Sequence, residues 1–231
     1  MFNNANRILV VAAHPDDEVL GCGGAIARAR DYGVEVGVMF LGEGVSARFE
    51  FGDYENEEFR AQTLVREEGM KRALKFLDVK LLRSEGYYCT QFDSLPLLKL
   101  VKSIEDVIHH YKPSTILTHS PSEVNIDHRL VFEAVEVACR PVIREKSISV
   151  YSFEVVCSGS FKFINSFNPN YYVDITKFFE KKIEAWQLYT GEARPFPFPR
   201  SNQGLKVLAN YRGMQVGVEY AEAYHLNRGI F

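Results

Sequence analysis

The run Ile8–Ala13 constrains this chain more than any other feature, because of what stops it. Its residues are all apolar and half are β-branched, which reads as a strand buried on both faces. His14-Pro15 ends it, since proline has no amide to donate and restrains the residue before it. Asp16, Asp17 and Glu18 follow where a helix must begin, and carboxylates there favour the positive end of the helix dipole. One strand end therefore delivers an imidazole and three carboxylates into a single turn. Imidazole and carboxylate are ordinary ligands for zinc and ferrous iron, so the cluster suits a divalent metal once the fold brings up a further ligand. The same residues also fit a plain helix cap beside a packed histidine.

Strands and helices alternate from there. Val19–Tyr32 predicts a helix stopped by Gly33, although Gly21, Gly23 and Gly24 each weaken it by up to about 1 kcal/mol. Glycines so early in a helix imply that something packs closely against it. Val34–Leu41 reads as a second buried strand, completing a βαβ unit with a right-handed crossover. An acidic, aromatic loop over 49–60 leads into a helix over Glu58–Phe76, a short strand over Val79–Leu82 and an amphipathic helix over Ser94–Tyr111. Thr115–Thr118 is a strand running into the polar stretch His119–His128, with a helix from His128 to Cys139 closed by Pro141. Further strands are expected over Ile148–Val156 and Tyr171–Ile175, and helices over Thr176–Tyr189 and Leu205–Tyr211. The run Arg194–Arg200 breaks regular structure and is expected as a surface loop, either walling a cleft or plugging it. The pattern predicts one Rossmann-like α/β domain over residues 1–231, a mostly parallel sheet flanked by helices. Ligands bind such sheets at the carboxyl edge.

Composition excludes several partners. A formal net charge of −3 leaves no basic footprint for nucleic acid. No apolar run approaches the roughly 20 residues that span a bilayer. Met1–Arg7 is short and polar and lacks the apolar core of a signal peptide, so the cytoplasm is expected. Cys22, Cys89, Cys139 and Cys157 show no Cys-x-x-Cys spacing, hence neither a thiolate metal site nor a disulfide framework. Cys22 and Cys139 fall in helical patterns and read as small buried hydrophobes.

The histidines narrow the search for the missing ligand. His109 and His110 sit at a helix C-terminus, where a cationic ring suits the dipole. His225 carries no signal. His119 ends a strand at the expected active edge and fits a structural role as well as a site role. His128, preceded by Asn125 and Asp127 and opening a helix, is the best further ligand to join the turn of His14 and Asp17.

His14-Pro-Asp-Asp-Glu18 after a buried strand, with Asn125-Ile-Asp-His-Arg129 about a hundred residues on, resembles the PIG-L/LmbE-like de-N-acetylases. Gly42-Glu-Gly44, Arg66-Glu-Glu68 and Tyr220-Ala-Glu-Ala-Tyr224 extend the likeness over most of the chain. The resemblance implies a metal-dependent hydrolase that removes acetyl groups from N-acetylglucosamine-type amines, whether free or carrier-linked. By it, His14, Asp17 and His128 hold Zn2+ or Fe2+, and Asp16 is the general base. Many relatives carry a histidine where this chain has Asn125, whose amide can donate a hydrogen bond to an oxyanion but cannot shuttle a proton. Asp127 is expected to hydrogen-bond beside the site rather than bind the metal. Arg48, after the second strand, is expected either to grip a substrate hydroxyl or phosphate or to form a surface ion pair.

Three other readings are weaker. Gly21-Cys-Gly-Gly24 with Glu43 is partly similar to a dinucleotide-binding fingerprint, but Asp16 and Asp17 occupy the turn where a pyrophosphate would sit. A non-haem iron oxygenase shares the ligand set but usually sits on an all-β scaffold. A metal-stabilised, non-catalytic binding protein has no use for Asp16.

Overall fold

The computed structural model describes residues 7–141, 148–164 and 166–229. The polar residues ahead of Arg7 thus lie outside the described residues. The apolar run becomes β1 (Arg7–Ala12), flanked by β2 (Glu35–Gly42) and β4 (Thr115–His119), both parallel to it. Its side chains alternate between two cores: Ile8, Val10 and Ala12 face one layer, and Leu9, Val11 and Ala13 the other. β3 (Lys80–Tyr87), β5 (Ser149–Phe153), β6 (Tyr171–Asp174) and β7 (Ala221–Arg228) complete one sheet in the order β3-β2-β1-β4-β5-β7-β6. The first five positions are parallel, and β7 pairs antiparallel with both β5 and β6.

The helices α1 (Asp17–Asp31), α2 (Glu57–Leu77), α5 (Phe179–Gln187) and α6 (Asn202–Met214) cover one face, and α3 (Leu97–Tyr111) and α4 (Ile126–Ala138) cover the other. The expected α/β architecture is the one found. The short strand expected at Val79–Leu82 runs on to Tyr87, and α5 begins at Phe179 rather than Thr176. The chain proceeds outward from β1 through β2 to β3 and then returns to β4 and β5 on the other side. The carboxyl ends of β1 and β4 therefore flank the topological switch point, the crevice where open α/β sheets bind ligands.

The glycines of α1 have packing reasons. A Cβ at Gly24 would lie 2.8 Å from Ile175 Cδ1, and one at Gly21 would overlap the Phe153 ring. The helix kinks at Cys22, whose backbone leaves the helical region, and a second helical segment starts just beyond. Its exposed amides find a cap on the far side of the fold: Gly24 N–H donates to Glu222 Oε1 at 2.9 Å and Ala25 N–H to Glu222 Oε2 at 2.7 Å. Lys182 Nζ donates to the same Oε1 at 2.6 Å and to the Leu20 carbonyl at 2.9 Å. The C-terminal strand is thereby stitched to the helix that carries Asp17.

Removing one partner of this buried pair strands the other charge. Glu222→Ala is expected to cost about 3–5 kcal/mol, a fall in Tm of roughly 6–20 °C for a chain of this size. Adding Lys182→Met should recover part of it. Thermal and urea unfolding of the single and double variants checks this.

Candidate metal centre

Asp16 turns the chain out of β1. Its backbone is left-handed, with φ of 117°, a conformation that costs a non-glycine residue energy and must be held from outside. The Asp16 amide donates to Glu18 Oε2 at 3.0 Å, and Glu18 Oε1 accepts from the buried Tyr189 hydroxyl at 2.5 Å. The His14 amide donates to Asp17 Oδ2 at 2.9 Å. Arg66, buried on α2, clamps the outside of the turn, donating from Nη1 to the Pro15 carbonyl at 2.7 Å and to Asp16 Oδ2 at 2.6 Å. Burial pushes the Glu18 carboxyl up to about 8. It also raises Asp16, against the pull of Arg200 and Arg66.

Asp17 points the other way, between imidazoles. Its Oδ2 lies 3.4 Å from His14 Nδ1 and 3.3 Å from His128 Nε2, while its Oδ1 is buried with no hydrogen-bond partner. Desolvation works to raise this carboxyl, but the His128 and His119 rings hold it well below the usual carboxylate range.

The outward nitrogen of each ligand-candidate imidazole meets a buried carboxylate. His14 Nε2 lies 2.9 Å from Asp127 Oδ2, and Asp127 is itself fixed by the amides of Thr90 at 2.5 Å and Phe92 at 3.2 Å. His128 Nδ1 bonds Glu123 Oε2, whose partner oxygen accepts from the Val155 amide at 2.6 Å. Burial works to lower His128, yet the charges of Asp17 and Glu123 raise it to about 9. His119 behaves differently. Its Nε2 accepts from the Ala13 amide at 2.9 Å, and its ring packs against His128 with centroids 3.9 Å apart and the planes tilted by 31°.

Among the described residues two triads bring donor atoms within 4.8 Å of one another: His14, Asp17, His128 and His119, Glu123, His128. In the second, His128 Nδ1 is already bonded to Glu123, leaving the buried His119 Nδ1 as its one unpartnered ring nitrogen; the first leaves a ring nitrogen of each histidine, His14 Nδ1 and His128 Nε2, facing Asp17. Bonds of about 2.0–2.1 Å at tetrahedral angles place neighbouring ligand atoms about 3.4 Å apart, and the Asp17 oxygen stands at that spacing from both rings. The unpartnered Asp17 Oδ1 is a further sign that the centre fits a cation.

Asn125, expected as an oxyanion donor, is the N-cap of α4, its Oδ1 accepting from the Asp127 amide at 2.9 Å, a use that leaves its Nδ2 hydrogens free to donate. A short polar side chain just ahead of a helix satisfies the first free amides, and here that use orients the side chain. Arg48 forms the ion pair that was one of its two expected roles, donating from Nη2 to Glu192 Oε1 at 2.7 Å and Oε2 at 2.8 Å. Glu192 also binds Arg66 Nη2 at 2.6 Å. Arg48, Gln62, Arg66, Thr190 and Glu192, with Ala61 and Val65 among the apolar residues, line a cavity of about 400 Å³. The loop from Arg194 is at the surface, as expected, but its last residue reaches the centre: Arg200 Nη1 lies 3.2 Å from Asp16 Oδ2. Glu123, Arg200, Glu192 and Tyr189 had no role in the sequence reading. Of these only Glu123, in the polar loop five residues before His128, stood near a recognisable signal.

Fold and site together define a Rossmann-like α/β protein with a His–Asp–His centre at the sheet's switch point. The family model PIG-L, GlcNAc-PI de-N-acetylase, matches residues 9–139, and the chain belongs to that family. Over its whole length it is 28% identical to 86% of the diacetylchitobiose deacetylase of Thermococcus kodakarensis. Its fold is similar to that of the N,N'-diacetylchitobiose deacetylase of Pyrococcus horikoshii, with a TM-score of 0.78 and 23% identity over 97% of this chain and 85% of that one. GalB, a 4-carboxy-2-hydroxymuconate hydratase from Pseudomonas putida, has the same fold at a TM-score of 0.75 and 22% identity over 98% of each chain. Likeness at that identity speaks for the fold alone.

The cap assignment is checked by substitution. Asn125→Ala should cost about 1 kcal/mol of stability in urea unfolding while leaving metal uptake unchanged. A fall in turnover larger than the lost stability explains would show that Nδ2 also serves as a donor.

Proposed function

We propose that this chain is a metal-dependent deacetylase that hydrolyses the acetamide of an N-acetylated amino sugar, with His14, Asp17 and His128 holding one zinc or ferrous ion. The observation that carries the reading is the Asp17 carboxylate, wedged between two inward-facing imidazoles with its second oxygen unpartnered. Family membership and the activity named for the relative from Thermococcus kodakarensis support the choice of substrate class. When bound, the ion supplies Lewis acidity, making water more acidic and offsetting charge on the acetyl oxygen.

The chain's own groups do the rest. Arg66 and Arg200 both hold Asp16 Oδ2, so proton transfer falls to Oδ1. Asp16 takes a proton from the attacking water there and returns it to the sugar nitrogen, because an amine leaves poorly unless it is protonated. Burial raises the carboxyl, which strengthens it as a base. Asp127 and Glu123 keep the two rings from turning. The cavity beside Arg66, part apolar (Ala61, Val65) and part polar (Gln62, Thr190), receives the sugar, with Arg48 in its lining. The dinucleotide alternative loses its main support, since Gly21 and Gly24 are occupied by Phe153 and Ile175.

Acetate release from N-acetylglucosamine derivatives, paired with elemental analysis, tests this reading. About one metal per chain with acetate release is expected. A metal-loaded chain that releases none from any such amine would favour a non-catalytic binding protein. Asp16→Asn should keep the metal and lose about 10²- to 10⁴-fold in turnover, whereas Asp17→Ala should lose the metal. Arg48→Ala should raise KM with little change in kcat, as removal of a substrate-binding contact does.

A further inference from the structure

Glu123 is wholly buried, although an isolated buried carboxylate is among the most costly groups a fold can hold. Both of its oxygens are engaged. Oε1 accepts the Val155 amide at 2.6 Å, anchoring the side chain to the segment after β5, and Oε2 meets His128 Nδ1. An ionised carboxylate only accepts hydrogen bonds, so the proton of that contact belongs to His128 Nδ1. With Nδ1 committed, the only ring nitrogen left to face Asp17 is Nε2, which stands 3.3 Å from Asp17 Oδ2. The His119 ring packs against His128 at a 31° tilt with centroids 3.9 Å apart, and its own Nε2 is tied to the Ala13 amide after β1. His128 is thus held in its plane by a ring and about its axis by a carboxylate.

From this arrangement, and resting on the metal reading above, we propose that Glu123 is a positioning residue that selects the metal-binding nitrogen of His128. Its anchor on Val155 lets the strand next to β4 set the direction in which Nε2 points. Asp127 stands in the same relation to His14, so the centre is gripped from two sides by carboxylates held on backbone amides. Carboxylates that orient metal-bound histidines in this way also raise the ring's basicity as a ligand.

The test uses the full chain, stripped with chelator and titrated with cobalt(II) followed by its visible absorption. Gln at this position keeps the size but offers one accepting oxygen where two are needed. Glu123→Gln should fold and weaken cobalt affinity by about 10- to 100-fold with an altered spectrum, and Glu123→Asp should recover part of the loss. A second readout needs no variant. In the zinc-loaded chain, two-bond proton–nitrogen correlations should show the His128 proton on Nδ1. Zinc bound through Nδ1, or a Glu123→Gln protein with unchanged cobalt affinity and spectrum, would overturn the inference. A wild-type chain that takes up no metal would instead sink the metal reading itself.

Discussion

Everything near the switch point follows from the need to keep five carboxylates, those of Asp16, Asp17, Glu18, Glu123 and Asp127, in one nearly dry volume. An ionised carboxyl without compensation is very costly there. The chain resolves each differently. Asp127 takes two backbone amides and a ring, Glu123 an amide and a ring, and Asp16 two guanidinium groups. Glu18 receives only a tyrosine hydroxyl and one amide, and its carboxyl accordingly rises toward neutrality. Of the five, Asp17 alone keeps a fully buried oxygen with no partner, and it is also the residue between His14 Nδ1 and His128 Nε2. The site is therefore a graded set of environments imposed on one functional group.

That grading depends on elements far apart in sequence arriving at fixed positions. Arg66 comes from α2, Tyr189 from the turn after α5 and Arg200 from the loop before α6. Those helices pack on the face that also holds α1, whose kinked second half is capped by Glu222 from the last strand. A buried ion pair is weak evidence for net stability, but it does fix register. Here it fixes where the helix following Asp17 lies against β7. The glycines that weaken α1 are what let Phe153 and Ile175 approach, so a local cost in propensity becomes a close helix–sheet contact.

This division explains what the sequence could disclose. The strand–turn–helix units at His14 and His128 were legible because their signals are local: a proline stop, a β-branched run, acids at a helix start. The alternation of strands and helices then implied a parallel sheet with both turns at one edge. Arg200 and Glu192 were not legible as parts of the site, and Arg66 stood only in a motif of the likeness with no role attached, since a charged residue on a helix or in a loop looks the same whether it faces solvent or a buried aspartate. Asn125 carries a second use that its motif did not signal: its oxygen caps α4 by accepting from the Asp127 amide, while its Nδ2 remains a donor. The last strand carried Glu222 among apolar residues, a pattern that makes sense only once Lys182 is seen opposite it.

Asp16 and Asp17 show why backbone conformation belongs in the functional argument. Adjacent identical residues in a regular helix would diverge by only about 100° and share one environment. The left-handed turn at Asp16 breaks that relation. It sends Asp16 toward Arg66 and Arg200 while Asp17 faces His14, His119 and His128. Burial and guanidinium groups oppose each other on the first carboxyl, and imidazoles dominate the second. One stays raised and the other falls well below its ordinary range. A base must be able to accept a proton, and a metal ligand must not hold one. On the proposed reading, the one left-handed residue between β1 and α1, Asp16, is what lets two adjacent aspartates meet those opposite requirements.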